Sequence, residues 1–310
     1  MTMTKTGKQL EQIVKQIEKL LLPSNFQIKS NERVFNEEGV QIAEFDIEIE
    51  GRLGSTDIKW LIECRDRPAN GPAPGSWIEQ LVGRRDRFGF NKVTAVLTTG
   101  FSEGASQYAA ESGIELRTVK EITFDGISDW FLLSHITIFN HCGNMSKALL
   151  IIDSKESSAR RNALKDIIQG RGNDPILIST ETGQAVRILD AFSSLLSEHA
   201  ELFNGIKPDT DTKEIKIRAE YSNEKSHFII STPEGDVRIK EIFFEAYLSI
   251  KTEKVPIEKI IQYSRDSGAE EISKTVGFRL NVGNSEIGLE FHKLADTGET
   301  HVIVRTLKNA

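Results

Sequence analysis

Asp46, Glu63 and Arg65 are the residues whose types and spacing could do chemistry. Two carboxylates from neighbouring strands offer the hard oxygen ligands that a Mg²⁺ or Mn²⁺ ion takes, with water and a substrate phosphate completing an octahedral shell. An ion held this way polarises a phosphoryl oxygen and generates a hydroxide for in-line attack. A cation two residues past the second carboxylate, here Arg65, holds the attacking water or offsets the charge of a pentacovalent state. The same spacing also describes a solvated acidic face, so the decisive question is whether the chain brings the two acids together.

The flanking pattern says that it does. Residues 42–50 alternate, with Ala43, Phe45, Ile47 and Ile49 on one face and Glu44, Asp46, Glu48 and Glu50 on the other. Gly51 and Gly54 mark a turn, and residues 58–65 resume the alternation. There Ile58, Trp60, Ile62 and Cys64 oppose Lys59, Leu61, Glu63 and Arg65. Directly opposed residues of an antiparallel pair share a face, so burying both apolar sets together requires paired numbers with an odd sum, such as Ile47 opposite Ile62. That parity places Asp46 opposite Glu63, with Arg65 two residues further along the same face. A β-bulge breaks the inference.

The surrounding elements form a scaffold for that hairpin. Residues 8–22 carry Leu10, Ile13, Val14, Ile17, Leu20 and Leu21 at helical spacing and end before Pro23, which predicts an amphipathic helix with Glu11 near its start. Residues 26–29 read as a short strand. Pro68, Gly71, Pro72, Pro74 and Gly75 make residues 65–75 a loop. Ser76 is placed to cap a helix over 77–88, whose stripe is Ile78, Leu81, Val82 and Phe88, with Gly89 ending it. Residues 93–98 read as a buried strand, Ser102 or Glu103 opens a small-residue helix through Ala105, Ala109 and Ala110 to Gly113, and 114–119 is a further strand. This order predicts a mixed sheet flanked by helices, an α/β domain over residues 1–125.

Beyond it, an α/β segment is expected over 126–208, with strands at 130–140, 148–153 and 176–180 and helices at 158–170 and 185–203. Residues 208–212 read as a linker. A β-rich region for recognition or assembly is expected over 209–310, with strands at 215–221, 227–232, 237–244, 276–282, 287–292 and 301–307 and one helix at 257–263. That half declares no chemistry. His141-Cys142 lacks partners at metal spacing and reads as strand packing.

Length and composition bound the rest. A chain of 310 residues supports two domains or one with a large addition. Hydrophobic residues at 38% and charged residues at 27% are the balance of a globular chain, and no apolar run reaches the ~20 residues of a membrane span. A cytoplasmic location follows as the expectation. Cys64 and Cys142 are too few for a disulfide framework or a zinc site, and both thiols are expected reduced. The net charge of -7 argues against coating nucleic acid over the whole surface. Between residues 59 and 92, however, seven basic residues (Lys59, Arg65, Arg67, Arg84, Arg85, Arg87, Lys92) outnumber four acids (Glu63, Asp66, Glu79, Asp86). Arg84, Arg85 and Arg87 are the candidate phosphate contacts, against the alternative of a solvated basic helix face.

Over roughly residues 8–122 the chain resembles the Mrr-type restriction endonuclease family of the PD-(D/E)xK nucleases. The resemblance is carried by Leu10-Glu11, Asp46, Leu61-Ile62-Glu63-Cys64-Arg65, Gln80, Val96-Leu97-Thr98-Thr99-Gly100-Phe101-Ser102, Ala105, Ala109 and Gly113-Ile114-Glu115-Leu116. It implies a restriction-endonuclease-like fold and a DNA phosphodiesterase dependent on Mg²⁺ or Mn²⁺. Asp46 and Glu63 would be metal ligands beside the backbone carbonyl of Cys64, Glu11 a further acid, and Gln80 a polar group near the substrate. The chain departs from the family at two places: Arg65 replaces the motif lysine, and Glu44-Phe45 precede Asp46 where Gly-Val is frequent. Arginine keeps the charge but stays protonated, so it clamps a phosphate and is a poor proton carrier.

The expectation is therefore a metal-dependent DNA endonuclease of restriction or anti-phage defence, with DNA as partner and a protein or a second copy as further partners. The alternative is a nuclease fold weakened by Arg65 that binds nucleic acid or a partner protein. A third possibility is that the C-terminal half senses a ligand or partner and switches the nuclease on, so that truncation near Asp125 releases activity.

Overall fold

In a computed structural model, which describes residues 7–66, 69, 71–171, 173–265, 270–282 and 285–307, the chain is a mixed α/β protein. Arg67 and Pro68, used in the readings above, lie outside the described residues. The first helix, α1 (Gly7–Leu21), turns Leu10, Ile13, Val14 and Ile17 inward, as their spacing requires. There follow β1 (Gln27–Phe35), β2 (Gln41–Leu53) and β3 (Thr56–Arg65), an antiparallel meander, then α2 (Gly75–Phe88), β4 (Lys92–Leu97), α3 (Glu103–Ser112) and β5 (Glu115–Glu121). β3, β4 and β5 are parallel, each joined to the next by a helical crossover. β1 outruns the expected 26–29 because it pairs with β2 from Gln27↔Glu50 to Phe35↔Gln41, and its polar middle gives no local signal. α2 starts two residues earlier than expected: Pro74 is its N-cap, Trp77 N–H donates to the Pro74 carbonyl at 3.1 Å, and Ser76 makes no cap. Ser102 does cap α3, its hydroxyl accepting from the Ala105 N–H at 3.2 Å.

The sheet has a core on each face. Leu61, Val93, Ala95 and Leu97 pack with Trp77, Ile78 and Leu81 of α2 and Ala105 and Ala109 of α3. On the other side Ile47, Ile49, Trp60, Ile62 and Val96 pack with α1. Phe45 departs from strict alternation. It lies in the α2 core, edge-on to Phe88 and Phe90 at 5.0 and 5.1 Å, whereas Ile47 lies in the α1 core. The strand therefore rotates at Asp46, and Asn31 of β1, flanked by the pairs Ser30↔Ile47 and Glu32↔Phe45, has φ 56 there.

The chain then builds a second unit from β6 (His135–Ile152), α4 (Ser158–Arg171), β7 (Leu177–Ser179), β8 (Ala185–Val186), α5 (Ile188–Glu198), β9 (Thr212–Glu220), β10 (Phe228–Thr232) and β11 (Gly235–Pro256). Its sheet runs β6-β11-β10-β7-β8, with β9 also on β11. The strands expected at 130–140 and 148–153 are the single strand β6, and the expected helix 185–203 divides into β8, α5 and a 3₁₀ turn. His141, within β6, stacks on Phe203 at 4.2 Å, and Cys142 is exposed.

Residues 255–310 return to the first unit as β12 (Lys259–Arg265), β13 (Glu270–Val282), β14 (Ser285–Leu294) and β15 (Thr300–Leu307). β12 adds to β5, from Ile261↔Glu121 to Arg265↔Arg117, so among the described residues the sheet has nine strands ordered β1-β2-β3-β4-β5-β12-β13-β14-β15. Two expectations change. The helix over 257–263 is a strand, because the β-branched Ile260 and Ile261 favour an extended chain and Ile261 and Tyr263, at 2% and 0% exposure, alternate with the less buried Gln262. The three consecutive domains give way to two units, 1–136 with 255–310, and 137–254. Among the described residues no helix is long and apolar enough to cross a membrane.

The graft of β12 onto β5 is pinned by a buried charge network. Arg117, 2% exposed, donates to Glu18 of α1, to the Tyr263 hydroxyl at 2.8 Å and to Glu115 at 2.7 Å. Removing one member strands the others in a low dielectric. Arg117→Ala is expected to lower stability by about 3–5 kcal/mol in urea denaturation, and Glu18→Leu with Arg117→Met to recover much of it.

Candidate active site

The β2–β3 ladder runs from Leu53↔Thr56 to Ile47↔Ile62, the register the parity argument requires, and stops there. The next position is Asp46 beside Glu63. Here the Asp46 carboxylate takes the place of a main-chain acceptor: the Cys64 N–H donates to its Oδ2 at 2.8 Å. The two acids are thus held together where the strands part, Asp46 half-buried and Glu63 only 8% exposed.

Crowded carboxylates away from water resist ionisation. Burial and the neighbouring Asp46 push the Glu63 carboxyl up to about 8, against the pull of Arg84. Burial also raises Asp46, opposed by the Cys64 N–H and Arg84. Glu11 of α1 is raised by burial and then by Asp46, which places it electrostatically within the same cluster. All three are raised chiefly by their removal from water, which favours the protonated form. Arg84 opposes the rise at Asp46 and Glu63. Its Nη1 donates to Glu63 Oε1 at 2.6 Å and to the Glu44 carbonyl at 3.2 Å.

The raised Glu63 has a consequence for stability. Unfolded, it ionises near its ordinary 4.5; folded, near 8. Between those values the folded state keeps a proton that the unfolded state releases, so stability falls as pH rises across that window and levels off above it. Glu63→Gln is expected to flatten the profile and to exceed the wild-type stability above about pH 8, by urea denaturation at about pH 5, 7 and 9.

The other site residues divide. Arg65 lies with its Cζ 4.5 Å from the centre of the Trp77 ring, a cation–π contact with α2, and Trp77 in turn stacks on Phe101 at 6.3 Å. Gln80 is exposed on α2 one turn before Arg84. Of the three candidate phosphate contacts, Arg84 is engaged with Glu63, Arg85 donates to the Ser112 carbonyl at 2.5 Å and to Asp86 at 3.0 Å, and Arg87 is exposed beside Phe88. Arg85 thus serves to tie α2 to the end of α3. Cys64 is half-buried against the α1 core. The sequence reading missed the clasp of Arg84 on Glu63, although Trp77 and Arg84, seven residues apart, share a helix face turned to the sheet. It also missed Asp66, whose Oδ1 accepts from Thr98 Oγ1 at 2.7 Å and whose Oδ2 is buried without a partner.

Among the described residues no three or more His, Cys, Asp or Glu side chains gather closely enough to hold an ion by themselves. Asp46 and Glu63 nonetheless suit Mg²⁺ or Mn²⁺, because such an ion takes one or two protein carboxylates and leaves other positions to water and phosphate. Burial holds both toward the protonated form, and a bound cation would favour the charged one.

No protein-family model and no curated protein matches the chain. Among solved structures it is similar to the crystal structure of a protein of unknown function, AF1548, at 24% identity over 36% of this chain and 57% of that one, with a TM-score of 0.30. The chain thus spans just over half the length of that neighbour.

Proposed function

We propose that this chain is a metal-dependent endodeoxyribonuclease with a restriction-endonuclease-like domain of the Mrr type, acting in restriction or anti-phage defence. The observation that carries the reading is the parting of β2 and β3 at Asp46 and Glu63, with both carboxyls raised by burial and Glu63 also by Asp46. The resemblance over residues 8–122 supports it through the order of α1, the hairpin, α2, β4, α3 and β5. Asp46, Glu63 and the Cys64 carbonyl would hold the cation. Bound there, a Mg²⁺ or Mn²⁺ ion supplies Lewis-acid polarisation of a phosphodiester and a lowered pKa for attacking water. Arg65, over the Trp77 ring, contributes a fixed positive charge to the phosphate and takes no proton. Glu11 is the nearby carboxyl left to exchange one.

A second reading is favoured by the clasp of Arg84 on Glu63 together with Arg65 in place of lysine: a weakened nuclease fold that binds nucleic acid or a protein partner. Arg65→Lys separates the two. On the first reading the substitution loses the guanidinium's contact with Trp77 and lowers Mg²⁺-dependent plasmid cleavage about tenfold or more. On the second it raises cleavage from nothing. A purified protein that cuts no plasmid, linear DNA or RNA with Mg²⁺ or Mn²⁺ would sink the first reading.

A further inference from the structure

The two edges of the nine-stranded sheet are unlike. β1 is guarded: Lys29, Glu32 and Arg33 put charge along it, Asn31 has φ 56, and the register shifts between Val34 and Phe35. Charge and irregularity of this kind keep another strand from adding to an edge. β15 carries no such device. Among the described residues it pairs with β14 alone, in an unbroken register from Lys293↔Thr300 to Glu286↔Leu307. Alternate residues of it therefore turn N–H and C=O groups away from the sheet. Thr300, Val302, Val304 and Thr306 are exposed on one face, Val302 at 56% and Val304 at 65%, while Arg305 is turned to the buried Glu290 at 2.9 Å.

The edge continues into an apolar face. Val302 and Val304 lie opposite Phe291 and Leu289 of β14 and share their face, and Phe131 packs on Phe291 at 5.1 Å. Leu132 and Leu133, next in the chain, are 80% and 53% exposed.

The pattern of β15 says what fits it. Thr300, Val302, Val304 and Thr306 read the same in both directions about Ile303. A second copy laid antiparallel with its centre there puts Val302 opposite the partner's Val304 and Thr300 opposite the partner's Thr306, so β-branched side chains meet their like on one face. On the other face Glu299 falls diagonal to the partner's Arg305, an acid and a base within reach, twice by symmetry. His301, opposite the partner's Arg305, already lies 3.3 Å from Glu299, which offsets both. The eight residues of β15 make an edge about 27 Å long at ~3.4 Å per residue and about 10 Å deep, roughly 270 Å² a side. A stable dimer buries about 800 Å² a side, so strand pairing, even with Leu132 and Leu133 added, suits a reversible association.

We propose that β15 is a self-association edge, through which two copies of this chain join their sheets antiparallel about Ile303 as a reversible dimer. The join consumes β15 on both copies, and the guarded β1 adds nothing further, so assembly stops at two. Neither Asp46 nor Glu63 takes part, and the proposal does not depend on the nuclease reading.

The test is sedimentation velocity of the full chain from about 1 to 200 μM. The sedimentation coefficient is expected to rise from monomer to dimer with a midpoint on the order of 10 μM. Val304→Lys, at a site already 65% exposed, should leave the melting temperature in place and weaken association about tenfold or more. Cross-linking reads the register, in a Cys142→Ser background that removes the exposed native thiol. Under mild oxidation Ile303→Cys should link to itself, whereas Val302→Cys should link only when mixed with Val304→Cys, because directly opposed positions lie within disulfide reach and diagonal ones do not. A chain that stays monomeric over the whole range overturns the proposal. So does a dimer that a folded Val304→Lys leaves intact, or one in which Val302→Cys links to itself as readily as to Val304→Cys.

Discussion

Asp46→Ala and Glu63→Ala are each expected to lower metal-dependent DNA cleavage on the order of a thousandfold while leaving the fold in place. Each removes half of the anionic pair that would hold the cation, and one carboxylate alone gives a hard ion too few protein ligands to compete with water. The effect on folding is smaller and differs between the two. Asp46→Ala leaves the Cys64 N–H without its 2.8 Å acceptor at the end of the ladder, a loss of about 1 kcal/mol. Glu63→Ala removes a crowded, buried carboxyl and frees Arg84, so the melting temperature should change little at neutral pH. Initial cleavage rates on plasmid, with circular dichroism melting as the fold control, check both. A cleavage rate untouched by either substitution would place the chemistry elsewhere.

Ending the chain after residue 136 is expected to abolish folding. The division into units assigns residues 255–310 to the same body as the hairpin, and β5 has β12 as its outer neighbour. Truncation exposes the edge of β5 over the paired stretch Glu121 to Arg117, takes Ile261, Tyr263 and Ile272 out of the α1 core, and deprives Arg117 of the Tyr263 hydroxyl. An open, partly apolar sheet edge is also a template for aggregation. The truncated chain should be insoluble or lack a cooperative melting transition. By contrast, a chain with 137–254 replaced by a flexible linker should keep a cooperative transition, because the first unit's strands and cores remain. A release of nuclease activity by truncation near Asp125, the outcome a separate C-terminal sensor requires, is therefore not expected.

How much of this was legible follows from the range of each signal. The Ile47↔Ile62 register could be read because two alternating runs and one turn lie within about twenty residues, and parity leaves few pairings. α1, α3 and β4 were legible for the same reason: their apolar spacing and caps are local. The rotation of β2 at Asp46 was not, since it reflects Phe45 being drawn to Phe88 and Phe90, 43 and 45 residues away in sequence. The return of residues 255–310 was hidden more deeply. Ile257, Ile260, Ile261 and Tyr263 fit a helical turn as well as a strand, and only pairing with β5, some 140 residues earlier, decides between them. Within the candidate site, residue types were readable but partners were not. Arg84 looked like a phosphate contact from charge alone, and its position on Glu63 depends on how α2 crosses the sheet.

The most direct measurement of the central claim is an anomalous difference map from a crystal of the full chain grown with millimolar Mn²⁺. The account predicts a peak within coordination distance of the Asp46 and Glu63 carboxylates and the Cys64 carbonyl, with the Arg84 guanidinium moved off Glu63 and the Arg65 guanidinium facing the ion's open side. A map with no peak between Asp46 and Glu63, and Arg84 still bonded to Glu63, would contradict it.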